Sequence, residues 1–161
     1  MTYTISRNIT RCTFILDQLE KVGGLPEAAK ATKIAEAKTL RAWLMFCFYD
    51  LYGPVSCVLE PEELSNIGYT PRPTKETYFN RMVSDLQESL HTSMTRPTVR
   101  AIGGRVNKGL ATMLLMKAYM NDHQYDKALP YAESMKTMGY KLSDDYKDIF
   151  INEMNDETVW A

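Results

Sequence analysis

The chain lacks any block of charge of one sign. Its 19 Lys and Arg stand against 20 Asp and Glu, a formal net charge of -1 over 161 residues. A nucleic-acid surface needs clustered basic side chains to displace counterions from phosphates, so nucleic acid is excluded as a partner. A long hydrophobic run is also missing. The longest, Ala42 to Tyr49, falls well short of the ~20 apolar residues that a spanning helix needs. Met1-Thr2-Tyr3-Thr4-Ile5-Ser6 has neither the basic nor the apolar character of a secretory leader. This leaves a cytosolic protein or a piece of something longer. Cysteine is scarce: Cys12, Cys47 and Cys57 are odd in number and widely spaced, which excludes a full disulfide framework and a CxxC metal site. Cys12 and Cys47 fall on apolar helix faces and are expected in the core; Cys57 falls in a loop and is expected nearer the surface. The histidines, His91 and His123, lie at a helix end and in a turn, without an HExxH pattern, so no metal site follows and both are read as solvated.

What the chain does have is helical periodicity. Hydrophobic residues make up 45% of it, enough for one core of ordinary domain size. Ile5, Ile9, Cys12, Leu16 and Leu19 recur at helical steps and predict a helix from about Thr4 to Val22, stopped by Gly23-Gly24. Pro26 suits the first turn of a second helix reaching Tyr52, with Gly53-Pro54 ending it. Its expected buried face is Leu40, Trp43, Leu44, Cys47, Phe48 and Leu51, with Met45, Phe46 and Tyr49 on the flank. A helix apolar nearly all round belongs at the centre of a stack. Thr74 is a fitting N-cap for a third helix, about Lys75 to His91, with Phe79, Met82, Val83, Leu86 and Leu90 inward.

Gly104 to Gly139 reads as two more helices joined by Asn121-Asp122-His123-Gln124. Ala111, Ala118, Ala128 and Ala132 sit where the two would touch, and Leu115, Tyr119, Tyr125 and Leu129 wedge beside them. That is the layout of a tetratricopeptide-type hairpin, which cannot bury its faces alone. Met116, Ala132 and Pro130 depart from the repeat pattern, and Pro130 removes a backbone donor inside its helix. The fold class is therefore all-α: antiparallel helical hairpins stacked as in a tetratricopeptide-like array, with two long loops, 56–73 and 92–105. The whole chain, 1–161, reads as a single helical domain. A turn is expected at Asp144 to Phe150. Glu157-Thr158-Val159-Trp160-Ala161 resembles the start of a strand that has no partner, so an internal fragment of a longer protein is expected.

Chemistry is thin. Gly103-Gly104-Arg105-Val106-Asn107-Lys108-Gly109 has its Lys and Gly in the wrong order for a phosphate loop and follows no strand, so nucleotide binding is rejected and the glycines are read as a tight turn into helix four. Asp144, Asp145, Asp148, Glu153, Asp156 and Glu157 lack the alternation and central glycine of a calcium loop. Glu60, Glu62 and Glu63 would need a cleft for acid-base work. Trp43, Tyr49 and Tyr52 are placed in the core. Tyr69 and Arg72, with Pro71, in the first long loop are the candidates for contact with a ligand. No catalytic residue, cofactor or metal is expected.

Ordered across nearly the whole chain are segments that resemble the SusD/RagB family of nutrient-binding outer-membrane lipoproteins. Ala35-Glu36-Ala37-Lys38-Thr39-Leu40-Arg41-Ala42-Trp43, followed by Leu51-Tyr52-Gly53, is similar to the family's "EA-x-x-LRA…LYG" helix. Arg72-Pro73-Thr74-Lys75-Glu76-Thr77-Tyr78 with Asp85-Leu86 resembles its "R-x-T-x-x-E-x-Y…DL" element, and Gly104 to Ala111 its "GRA-x-K-x-A-A" element. Tyr125-Asp126-Lys127-Ala128, Gly139-Tyr140-Lys141-Leu142 and Asp145-Tyr146 to Phe150 complete the series. The resemblance implies the tetratricopeptide-like helical core of a surface-exposed lipoprotein that captures oligosaccharide and docks on a TonB-dependent (SusC-like) transporter, without being an enzyme. It implies that sugar is met mostly by parts of the parent protein outside this chain, and that the signal and lipid-bearing cysteine lie elsewhere. Self-association of the piece is expected, through apolar surface left uncovered. Two other readings are a free-standing tetratricopeptide-like adaptor with a peptide groove and a hydrolase with paired carboxylates.

Overall fold

A computed structural model describes residues 2–65, 70–92, 104–151 and 155–160, with the side chains of residues 2–5 left aside. Among them are six α-helices: α1 Thr2–Lys21, α2 Glu27–Tyr52, α3 Lys75–Leu90, α4 Lys108–Asn121, α5 Tyr125–Thr137 and α6 Asp148–Ile151. A 3-10 helix, Pro61–Ser65, interrupts what the sequence reads as an aperiodic loop. Each helix packs on the next from α1 to α5, and α2 also touches α4. The all-α stack of hairpins is therefore as expected, with α2 at its centre. No strand occurs among the described residues, and 157–160 run as turn and bend. The strand expected there does not form because nothing described offers it a pairing edge.

Local chemistry sets the boundaries. Thr74 is extended, and its hydroxyl accepts the Thr77 N–H at 3.1 Å, capping α3. Asn107 caps α4 by accepting the Leu110 N–H at 3.0 Å, while its amide donates to the Val159 carbonyl at 2.9 Å. This buried Asn thus ties the last described segment to the stack. Gly53 ends α2 at φ 72°, a conformation closed to most side chains, and its N–H reaches the Tyr49 carbonyl at 3.1 Å. α5 runs through Pro130 without a break.

The core joins α1 to α5 around fully buried Ile9, Met45, Tyr78, Met82, Leu86 and Leu115. Tyr49 stacks on Tyr78 and Tyr119 on Tyr131, with ring centroids 6.2 and 5.9 Å apart. Of the stripes expected on α1 and α3, Ile9, Cys12, Leu16, Phe79, Met82, Val83 and Leu86 are buried and Leu19 and Leu90 half-buried, while the Ile5 side chain lies outside the described ones. On α2 the buried face is turned from the expected one: Ala35, Thr39, Arg41, Ala42, Met45, Phe48 and Tyr49 are inside. Leu40, Cys47 and Leu51 are exposed instead. α2 carries two apolar stripes, and partner helices choose between them. In the α4–α5 hairpin Ala111, Ala118, Ala128, Leu115 and Tyr119 are buried as expected, but Tyr125 and Leu129 point outward because no further helix among the described residues covers that side of α5.

Candidate functional site

The most informative chemistry lies where α1, α2 and α3 meet. Arg41 is buried and donates to both oxygens of buried Asp85, at 2.6 Å from Nε and 2.7 Å from Nη2. Its remaining nitrogen donates to the Thr13 hydroxyl at 2.9 Å and to the Leu59 carbonyl at 3.1 Å. Thr13 donates onward to the Val58 carbonyl at 2.8 Å, and the Val58 N–H reaches the Thr10 hydroxyl at 3.1 Å. One guanidinium therefore joins two helices and its own to an irregular strip of backbone. That strip needs such partners, because it has no ladder to satisfy its polar groups. Burial opposes the Arg41 charge, and its bonds to Asp85 more than offset this, holding it above its ordinary range. A buried pair of this kind is a poor source of net stability, since desolvation consumes most of the attraction. Its consequence is positional: it fixes residues 58 and 59.

Leu59, with the neighbouring Cys57, forms the floor of a surface depression of about 390 Å³. It is lined by buried Cys57 and Leu59, by Glu60 and Glu63, and by Thr70, Pro71, Arg72, Pro73, Thr74 and Thr77. The size suits a small polar molecule. Glu60 is ion-paired with Arg81 of α3. Arg72, expected in a ligand-contacting loop, is exposed and lines the depression; Tyr69 lies outside the described residues. Glu62 is exposed and faces elsewhere. Cys57 is buried, contrary to expectation, because the strip is pulled down onto α1. Burial pushes its thiol up to about 12 and that of Cys12 to about 11, so neither is a reactive thiolate.

The other candidates lie apart. His91 caps the end of α3, and His123 sits in the α4–α5 turn at φ 58° with Nδ1 2.9 Å from the Tyr125 hydroxyl. Both are on the surface, as expected. Trp43 is half-buried against Trp160, edge to face at 5.1 Å. Tyr49 is in the core, whereas Tyr52 is exposed at the end of α2. Asp144, Asp148 and Asp156 border a second depression with Lys141. Glu153 lies outside the described residues, and among the described residues no group of His, Cys, Asp and Glu could hold a metal. None of the described helices is long and apolar enough to cross a membrane. Sequence reasoning missed Arg41 and Asp85. The signal was a charge placed inside each of two apolar helices.

The fold is that of a stacked helical scaffold with a small polar recess. The chain resembles the SusD/RagB family in both sequence and fold. It is 28% identical over 159 residues to a SusD-like protein of Formosa agariphila, covering 96% of this chain and 30% of that protein. It is also 28% identical over 158 residues to the starch-binding protein SusD of Bacteroides thetaiotaomicron, covering 93% of this chain and 26% of that one. Among solved structures, a laminarin-binding SusD-like protein superposes with TM-score 0.85 at 24% identity, over 97% of this chain and 35% of its own. The surface glycan-binding protein A of Bacteroides thetaiotaomicron, solved with laminarihexaose, superposes with TM-score 0.80 at 22% identity, over 97% of this chain and 33% of its own. No family model matches the chain. The chain thus spans about a third of the length of the proteins it matches.

Proposed function

We propose that the chain is the helical core of a SusD-like cell-surface glycan-binding protein, an internal piece of a longer chain that captures oligosaccharide and docks on a TonB-dependent outer-membrane transporter. The observation that carries this reading is the match along nearly the entire chain, in sequence to curated SusD-like proteins and in fold to glycan-binding ones. Relatives named for binding starch or laminarin, and one solved with a xylogluco-oligosaccharide, support a binding role without catalysis for this chain. The parent protein would be a surface lipoprotein of the outer membrane, carrying its signal, its lipid-bearing cysteine and most of its sugar contacts outside these residues. Exposed Leu142, Tyr146, Phe150 and Ile151 support self-association of the chain by itself.

The test is a glycan screen of the longer protein that contains this chain, with reducing-end analysis and co-purification of its transporter. Binding of at least one neutral glycan without cleavage, and recovery of a TonB-dependent partner, are expected. Cleavage would favour the hydrolase reading. A gene product limited to these residues, recovered with a cytosolic peptide partner, would favour the adaptor.

A further inference from the structure

We infer that the depression between the 57–63 strip and the start of α3 is a contact site for one or two units of a neutral saccharide, with Glu63 and Arg72 as its polar arms. This rests on the proposed glycan-binding role and goes beyond it, since it places a sugar contact within the helical core itself. Three observations carry it. The first is charge balance. Glu60 is matched by Arg81, and Glu63 and Arg72, of opposite sign, both line the recess and form no ion pair among the described residues. The recess therefore offers no net field to a phosphate or a metal ion, while a guanidinium, a carboxylate and threonine hydroxyls offer both donors and acceptors. A ring bearing several hydroxyls and no charge matches that set.

The second is the apolar floor. Cys57 and Leu59 lie under the polar arms, and Pro71 and Pro73 add ring edges at the side. A polyol with an apolar face can lie on such a surface, whereas a small inorganic ion gains nothing from it. The third is rigidity. The floor is held by the Arg41, Thr13 and Thr10 bonds, the wall by prolines whose φ is fixed, and its end by the Thr74 cap. A preorganised recess loses little freedom when it binds. Arg41 acts as a positioning residue here; it does not itself line the recess.

The experiment is titration of the 15N-labelled chain with laminarihexaose, maltohexaose and a xylogluco-oligosaccharide in turn, with sodium phosphate as the charged comparison. For at least one sugar, amide shifts are expected to concentrate at Leu59, Glu63, Thr70 and Arg72. Arg72→Ala and Glu63→Ala lie on the surface and keep the fold; each should weaken binding about tenfold, the scale of a lost charge-assisted hydrogen bond. Glu62→Ala, exposed beside the recess, should leave it unchanged. Shifts centred elsewhere, wild-type affinity in both variants, or tighter binding of phosphate would overturn the inference. If the longer protein binds a glycan and this chain does not, the inference fails and the glycan-binding role stands; if neither binds, both fail.

Discussion

Two regions of the molecule reverse the usual rule of burial. Where α2 meets α3, a charged pair is sealed from solvent, with Arg41 at 3% exposure and Asp85 at 0%. Beyond α5, Leu142 and Phe150 stand open at 79% and 72%. Hydropathy alone would exchange them. The difference lies in partners. Arg41 has acceptors in α1, in α3 and in the Leu59 carbonyl, so each of its three buried nitrogens has at least one partner. The segment after Gly139 has few helices to lean on. It is anchored through the Asn107 amide, through Trp160 against Trp43, and through Tyr140 on the backbone of α4, and its remaining apolar side chains face out. Burial in this fold follows available partners more closely than residue type.

The comparison breaks most readily at its charged end. Asp85→Ala leaves the Arg41 charge buried and unpaired, and should cost about 3–5 kcal/mol in urea unfolding. A loss under 1 kcal/mol would mean that water reaches Arg41. Leu86→Ala, in the same layer and fully buried, should cost about 2–5 kcal/mol by the lost transfer energy and the cavity left behind. Gly109→Ala tests the anchored side of the other region. A Cβ there would lie 2.1 Å from the Tyr140 hydroxyl, so the ring must move off α4, at a cost of about 1–3 kcal/mol. Near-UV circular dichroism should report the displaced tyrosine. Phe150→Ser, on the open surface, should change stability by less than about 0.5 kcal/mol. It should instead reduce self-association in sedimentation, and unchanged association would show that the open patch is not the contact.

The smallest effect is on pH. The bond from Lys38, with help from Ser84, holds the Glu88 carboxyl below its ordinary 4.5. The bond from Lys75, then that from Gln124, holds Asp122 below its ordinary 3.8. Each is lower in the folded chain than in the unfolded one. The stability they contribute is present above those ordinary values and fades as pH falls through the folded ones. Glu88 is half-exposed and Asp122 lies at the surface beside exposed Lys75, so solvent screens both and a shallow decline in melting temperature below about pH 4.5 is expected. Lys75→Ala should flatten the part due to Asp122.

Much of the fold could be read from the chain. The bounds of α1, α2 and α3 fall within two or three residues of those expected, Thr74 caps α3 as its position suggests, and the small residues of the α4–α5 hairpin sit at the contact. Periodicity shows that a helix has an apolar face. It does not show which of two stripes on α2 meets a neighbour, and so Leu40, Cys47 and Leu51 were misplaced. Tyr125 and Leu129 failed similarly, since the pattern cannot reveal that no further helix among the described residues covers that side of α5. Of the recess, Arg72 and the glutamates were visible as loop residues. Their convergence was not, because it depends on Arg41 drawing the Leu59 carbonyl inward across a sequence separation of 18 residues, with Thr13 holding Val58. Motif letters included Arg41 and Asp85, but spacing gave them no role.

The central claim is that the buried pair serves to position the recess floor more than to hold the stack together. Amide hydrogen exchange on an Arg41→Met/Asp85→Leu double variant tests it most directly. Replacing such a pair with apolar side chains is often neutral or stabilising, so the core amides of α2 and α3 should keep their protection to within about 1–2 kcal/mol. The Val58 N–H and its neighbours should exchange at least tenfold faster, about 1.4 kcal/mol, once the strip loses its anchor. Protection of the 57–60 strip equal to wild type, or collapse of the whole stack, would contradict the account.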